Sequence, residues 1–295
     1  MDRVAASNSP EGGETGGIVR LGMVSFLNTA PLYETWKRTV AVPRWRVTEA
    51  PPATLNRLLY AGELDLGLVS SHEYASHPEQ YRILSGLAIA ATGAVGSVFI
   101  FSHFPLEELD GRLLLLSSRS QTSVGLARIL LENRWRVAPR YRVGDYQAEK
   151  AAGRVAELAA ILSIGDEALR LAESDEFAYR FDLAEIWHQW TGLPFVFAIW
   201  AVREEFRRER PETVAAIHRE LLRCQTEGLN DLPAICREVA PRIPLSEEAC
   251  RRYLAGMNYD LNREQQAGLV RFFQLLIGRG EVPAAALPLK IEDHG

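Results

Sequence analysis

The sequence predicts an α/β fold in two lobes, the first lobe interrupted by the second, with a ligand cleft where the chain passes between them. Three observations predict it. Residues 93–102 (Gly-Ala-Val-Gly-Ser-Val-Phe-Ile-Phe-Ser) run from a glycine-relaxed turn into a dense β-branched and aromatic segment. That is the pattern of a buried strand whose start admits a ligand closely, and Ser97 sits at that start. Residues 195–202 (Phe-Val-Phe-Ala-Ile-Trp-Ala-Val) form a second such segment just after Gly192 and Pro194. Between the two lies a complete set of α/β signals, so they are expected to be the outward and return crossings of a clamshell. The resulting boundaries are a disordered tail over 1–17, lobe 1 over 18–98 and 199–295, and lobe 2 over 99–198.

A chain of 295 residues is ample for two cores. Its net charge of −5, from 33 basic and 38 acidic residues well mixed, offers no positive field for nucleic acid or an anionic membrane. Cys224, Cys236 and Cys250 are too widely spaced for a CxxC site and suit a reducing compartment. Cys236 falls on an apolar helical face with Leu232, Ile235 and Val239, as a core thiol would. Residues 1–17 lack the basic start and apolar core of a secretory signal, and no apolar run approaches the roughly 20 residues that span a bilayer. A soluble, cytoplasmic protein is therefore expected. Nothing in the pattern fixes an oligomeric state.

In chain order, residues 18–26 read as the first strand. Leu27-Asn28-Thr29-Ala30-Pro31 breaks it and starts a helix, with Pro31 suited to the first turn. Asn28 and Thr29 thus either cap that helix or face the cleft. Residues 46–49 suggest a second strand, and Leu55, Leu58 and Leu59 mark a short helix ending at Gly62. Residues 64–69 read as a buried strand, followed by Ser70-Ser71-His72-Glu73-Tyr74 at a helix start. Ser70 and Ser71 suit a cap or an anion. His72 and Glu73 are adjacent, so as a helix pair they do not face each other.

Beyond the first crossing, residues 112–116 form a strong strand. Ser117-Ser118-Arg119-Ser120-Gln121-Thr122-Ser123 then feeds a helix with Val124, Ala127, Leu130 and Leu131 inward. One hydroxyl suffices for a cap, and this loop offers several, which has the form of an anion site. Residues 140–143 and 159–164 read as strands, and Asp166 follows the second as either an N-cap or a cleft-facing carboxylate. Leu183, Ile186, Trp187 and Trp190 repeat at helical spacing and are expected in the core. After the return crossing the pattern is helical, with Asn262 and Gln265 spaced as a capping box.

No glycine-rich nucleotide loop, HExxH or GxSxG motif occurs, and the histidines at 72, 77, 103, 188, 218 and 294 lack zinc-ligand spacing. The expectation is no metal and no cofactor. A cleft lined by Asn, Ser and Thr at strand ends and helix starts suits a small polycarboxylate. The residues alone leave binder and enzyme both open.

Residues 24–32 (Val-Ser-Phe-Leu-Asn-Thr-Ala-Pro-Leu) resemble the VSYLNTxPL opening of the chorismate dehydratase family. The likeness continues through 62–68 (Gly-Glu-Leu-Asp-Leu-Gly-Leu), Ser71-His72-Glu73-Tyr74, 93–98, Ser120-Gln121-Thr122-Ser123, Ile164-Gly165-Asp166 and 191–195, and spans roughly residues 18 to 275. Phe26 replaces the usual tyrosine, and Ser70 stands where proline is common. The resemblance implies a type II periplasmic-binding-protein fold used as a lyase. It implies loss of water from chorismate to give 3-[(1-carboxyvinyl)oxy]benzoate, on the futalosine route to menaquinone. On that footing Ser120, Thr122 and Ser123 hold one substrate carboxylate, Ser70 and Ser71 help with the other, and Asn28 and Ser97 orient the ring and bond the departing hydroxyl. Asp166, Glu73 or the substrate's own enolpyruvyl carboxylate serves as base. A solute-binding or sensory protein would share the fold, and so would the sister enzyme forming dihydroxynaphthoate. The latter's Ser-Pro-Cys-Pro-Asn-Asp type opening is not matched by residues 24–31.

Overall fold

The computed structural model describes residues 17–243 and 245–293, so the expected tail, apart from Gly17, lies outside the described residues. In chain order the strands are β1 (Val19–Met23), β2 (Trp45–Glu49), β3 (Leu66–Ser70), β4 (Tyr81–Ala91), β5 (Val98–Ser102), β6 (Leu113–Ser117), β7 (Arg140–Gly144), β8 (Ala160–Ile164), β9 (Tyr179–Asp182), β10 (Phe195–Arg203) and β11 (Ile291–Glu292). They form two mixed sheets, ordered β11-β4-β10-β3-β1-β2 and β7-β6-β8-β5-β9. Within each sheet the parallel core is β2-β1-β3 or β7-β6-β8, built by strand–helix–strand connections. Antiparallel β10 and β4 extend one sheet, and β5 and β9 extend the other.

β3 and β8 are buried along their whole length, as expected for strands covered by helices on both faces. The helix Leu183–Thr191 buries Leu183 and Trp187, and the Trp187 indole donates to the Pro194 carbonyl at 3.1 Å, tying that helix to the return passage. Cys236 lies buried on the helix Leu232–Val239, beside Ile235 and Val239.

The chain leaves the larger sheet after β4, enters the smaller at β5 through residues 92–97, and returns through residues 192–194. β10 belongs entirely to the larger sheet: Phe195 pairs with Ala91 and Ala198 with Ser70. Three strands escape the sequence pattern, one of them the two-residue β11 in the region that reads as helical. β4 carries Ser85-Gly86 in its middle, which reads as a breaker, and register shifts against β10 accommodate the irregularity. β9 is only four residues long, with its first two exposed.

Candidate active site

The carboxyl ends of β1, β3, β6 and β8 meet at one cleft of about 560 Å³. Ligands of open α/β sheets bind at that edge. Much of the wall is apolar, with Val24, Leu68, Ile89, Ile164, Phe197 and Met257. Its polar lining is Asn28, Thr29, Ser70, Ser97, Ser120 and Ser123, and none of the lining side chains among the described residues is titratable.

Three of these serines share one arrangement. Ser70 Oγ accepts from Asn56 Nδ2 at 2.9 Å and from the Glu73 amide at 3.2 Å, which caps the following helix. Ser97 Oγ accepts from the Tyr253 hydroxyl at 2.8 Å. Ser123 Oγ accepts from Ser120 Oγ at 3.0 Å, while Ser120 accepts from the Ser123 amide at 3.2 Å as N-cap of the helix Gln121–Ile129. A hydroxyl has one proton and two lone pairs. Each of the three takes a hydrogen bond from another protein group, and none donates its proton to an acceptor among the described residues. The cleft therefore offers three O–H donors. It also offers an acceptor, for Asn28 Oδ1 is buried without a hydrogen-bond partner among the described residues.

The other sequence candidates stand elsewhere. Thr29 lines the cleft, but its hydroxyl turns back onto the carbonyls of Val24 (2.6 Å) and Phe26 (2.8 Å). Ser71 is fully buried outside the cleft, its hydroxyl donating to the Val196 carbonyl at 2.8 Å. Thr122 is likewise fully buried and accepts from the His72 amide at 2.9 Å. Glu73 sits behind the wall, where the Tyr81 hydroxyl donates to it at 3.0 Å. Burial pushes its carboxyl up to about 7, with the tyrosine bond pulling the other way. Asp166 is neither the N-cap of its helix nor part of this cleft. It accepts from the Leu27 amide at 3.3 Å and lines a neighbouring cavity of about 460 Å³ with Tyr33, Lys37 and Arg242. Burial raises its carboxyl above the ordinary value, against the Leu27 hydrogen bond and the charges of Arg170 and Arg119.

Four supporting residues carry no local signal in the sequence. Asn56 holds Ser70 by both side chain and backbone, its Oδ1 accepting the Ser70 amide at 3.1 Å. Tyr253 reaches Ser97 from the helix Glu247–Ala255. Asp182 caps the helix Leu183–Thr191 and also accepts the Gly96 amide at 2.6 Å, pinning the passage that bears Ser97. Gly96 holds that turn at φ +73°, where a side chain is strained. Arg119 stacks over the Phe26 ring at 5.5 Å and has no ion pair among the described residues.

A two-lobed α/β molecule with a polar-rimmed cleft at its crossings belongs to the class of periplasmic-binding-protein folds. A solved protein from Archaeoglobus fulgidus superposes with a TM-score of 0.71 at 19% identity, covering 90% of this chain and 98% of that one. The periplasmic aliphatic sulphonate binding protein of Escherichia coli superposes at 0.64 with 11% identity, covering 94% and 98%. A family model described as menaquinone biosynthesis matches residues 19–277, and the chain belongs to that family. It is 34% identical over 274 residues to the chorismate dehydratase of Thermus thermophilus, across 87% of this chain and 94% of that protein. It is also 28% identical over 181 residues to the chorismate dehydratase of Campylobacter jejuni, across 60% and 64%.

Proposed function

We propose that the protein is a chorismate dehydratase, a hydro-lyase that converts chorismate to 3-[(1-carboxyvinyl)oxy]benzoate on the futalosine route to menaquinone, working in the cytoplasm. The observation that carries this reading is the 34% identity to the Thermus enzyme across nearly the full length of both chains. The site's chemistry supports it independently. Chorismate has two carboxylates that accept hydrogen bonds and one hydroxyl that donates. The cleft offers outward donors at Ser70, Ser97 and Ser123 and one unpartnered acceptor at Asn28. The three free, buried cysteines suit a reducing compartment.

The elimination takes the proton from ring C3, moves its electron pair into the ring and breaks the C4–O bond, so proton and hydroxide leave together as one water. The product ring is aromatic, so the barrier lies in reaching the C3 carbanion. That carbanion is conjugated through a ring double bond with the ring carboxylate, and fixed donors on the carboxylate stabilise it. In this reading Ser123, its hydroxyl oriented by the Ser120 proton, holds one carboxylate and Ser70 assists the other. Asn28 holds the C4 hydroxyl, and Ser97 donates to its oxygen as charge develops there. The lack of a titratable side chain in the cleft lining supports the substrate's own enolpyruvyl carboxylate as base, in preference to Asp166 or Glu73.

The test is to incubate the purified protein with chorismate and follow product by chromatography and mass. A species lighter by one water, aromatic and still bearing the enolpyruvyl group, establishes the dehydratase. Tight binding without turnover replaces the enzyme with a solute binder, and no binding points to the sister naphthoate-forming activity.

A further inference from the structure

The role proposed for Ser97 requires its proton to face the cleft, yet a serine hydroxyl rotates freely and donates wherever an acceptor lies. The backbone around it is fixed: the Ser97 carbonyl accepts the Gly165 amide at 2.8 Å, and the preceding Gly96 amide is held by Asp182 at 2.6 Å. What the backbone leaves undetermined is the hydroxyl rotor. Tyr253 Oη stands 2.8 Å from Ser97 Oγ, 156 positions away in sequence.

We propose that Tyr253 is a positioning residue that fixes Ser97 as a one-way hydrogen-bond donor into the cleft. The phenol has a single proton and, among the described residues, no acceptor for it other than Ser97. Reversing the bond would leave the phenol proton without an acceptor among the described residues and Ser97 without its donor. The Tyr253 proton therefore goes to Ser97, and the Ser97 proton goes to the cleft, strengthened as a donor by the bond Ser97 accepts. Burial pushes the phenol above its ordinary value, against the Ser97 hydrogen bond and with support from the nearby Asp166 and Asp182 carboxylates. It stays protonated throughout, so Tyr253 orients and polarises Ser97 without passing a proton to the departing oxygen. The helix that carries it is tied to the other half of the site, since Tyr253 packs on an apolar cluster that contains Leu27 and Ala30, on either side of Asn28 and Thr29.

The inference rests on Ser97 meeting the departing hydroxyl, and a double-mutant cycle separates the two claims. Wild type, Tyr253→Phe, Ser97→Ala and the double variant are compared by steady-state kinetics on chorismate and by thermal denaturation. Because the bond matters as charge develops, Tyr253→Phe is expected to lower kcat about 10- to 100-fold, with KM within about twofold. In the Ser97→Ala background the same substitution is expected to change kcat less than about twofold. An undiminished kcat in Tyr253→Phe, or a loss that multiplies with that of Ser97→Ala, overturns the positioning role. A Ser97→Ala variant as active as wild type overturns instead the site reading beneath it. A loss of kcat in Tyr253→Phe that comes only with a lowered melting temperature assigns Tyr253 to folding and also overturns the proposal.

Discussion

Replacing Asn28 by alanine is expected to make the free protein more stable and the enzyme nearly inactive. Asn28 Oδ1 is buried and lacks a partner among the described residues, and such an orphaned acceptor costs about 1–3 kcal/mol. Alanine removes the orphan. The side chain is only half-buried and belongs to the short turn Leu27–Thr29, so trimming its packing offsets roughly 1 kcal/mol of that gain. The net gain is about 1 kcal/mol, or about 2–4 °C in melting temperature for a chain of this size. On the activity side, losing the acceptor that orients the C4 hydroxyl toward the Ser97 donor is expected to cost about 10²-fold in kcat/KM. Differential scanning calorimetry with and without the product, alongside initial rates on chorismate, reads both effects. The product should raise the melting temperature of wild type more than that of the variant. A variant destabilised by several degrees with kcat/KM within about threefold of wild type would refute the reasoning. In that case the carbonyl is satisfied in the free protein and idle in the reaction.

Three other substitutions test the surroundings of the cleft. For Glu73 the folded value of about 7 lies above the ordinary 4.5, so between them the native state binds more protons than the unfolded chain and wild-type stability falls as pH rises. Glu73→Gln should abolish that fall, gaining on the order of 2–3 kcal/mol over wild type above about pH 7.5 and nothing below about pH 4, with kcat unchanged; parallel urea-derived stability curves would reject it. Asp166→Asn should keep kcat within about threefold, because the carboxylate faces the Leu27 amide and a separate cavity, whereas a loss beyond about 100-fold would return Asp166 to the reacting atoms. No cation lines the cleft among the described residues, and Arg119 stands over the lining ring of Phe26, so Arg119→Gln should raise KM about tenfold and flatten the salt dependence of kcat/KM; an unaltered salt dependence would remove Arg119 from substrate capture.

The pattern of a polar residue between a strand and a helix start is local in sequence, and with the glycine turn before Ser97 it brings up Asn28, Ser70, Ser97, Ser120 and Ser123, which line the cleft, together with Ser71 and Thr122, which do not. What it does not carry is phase. Ser70 and Ser71 are neighbours, yet one ends β3 at the cleft and the other begins a helix with its hydroxyl on Val196. Thr122 and Ser123 are consecutive on a first helical turn, about 100° apart around its axis, so one faces His72 and the other the cleft. Asp166 is legible as a polar residue after a strand, but its role as acceptor for Leu27 depends on a segment 139 positions away. The same applies to the groups behind the serines. Asn56, Asp182 and Tyr253 act across separations of 14, 86 and 156 residues, and no spacing rule reaches that far.

Those supporting groups also bear on how one fold serves both binding and catalysis. Any carboxylate-binding cleft of this architecture needs donors, and donors alone hold ground state and transition state alike, which tightens binding without speeding reaction. Here each donor is oriented by a different part of the chain: Ser70 from the larger sheet's helix layer, Ser123 from within its own helix turn, and Ser97 from a C-terminal helix. Fixed in this way, they need no reorganisation when charge moves from C3 into the ring carboxylate. Asn28 adds what a carboxylate binder has no use for, a buried acceptor for the one hydroxyl that departs. On the proposed mechanism, the step from binder to lyase on this fold lies in Asn28 and in the direction of the Ser97 proton, with the substrate's own carboxylate as base.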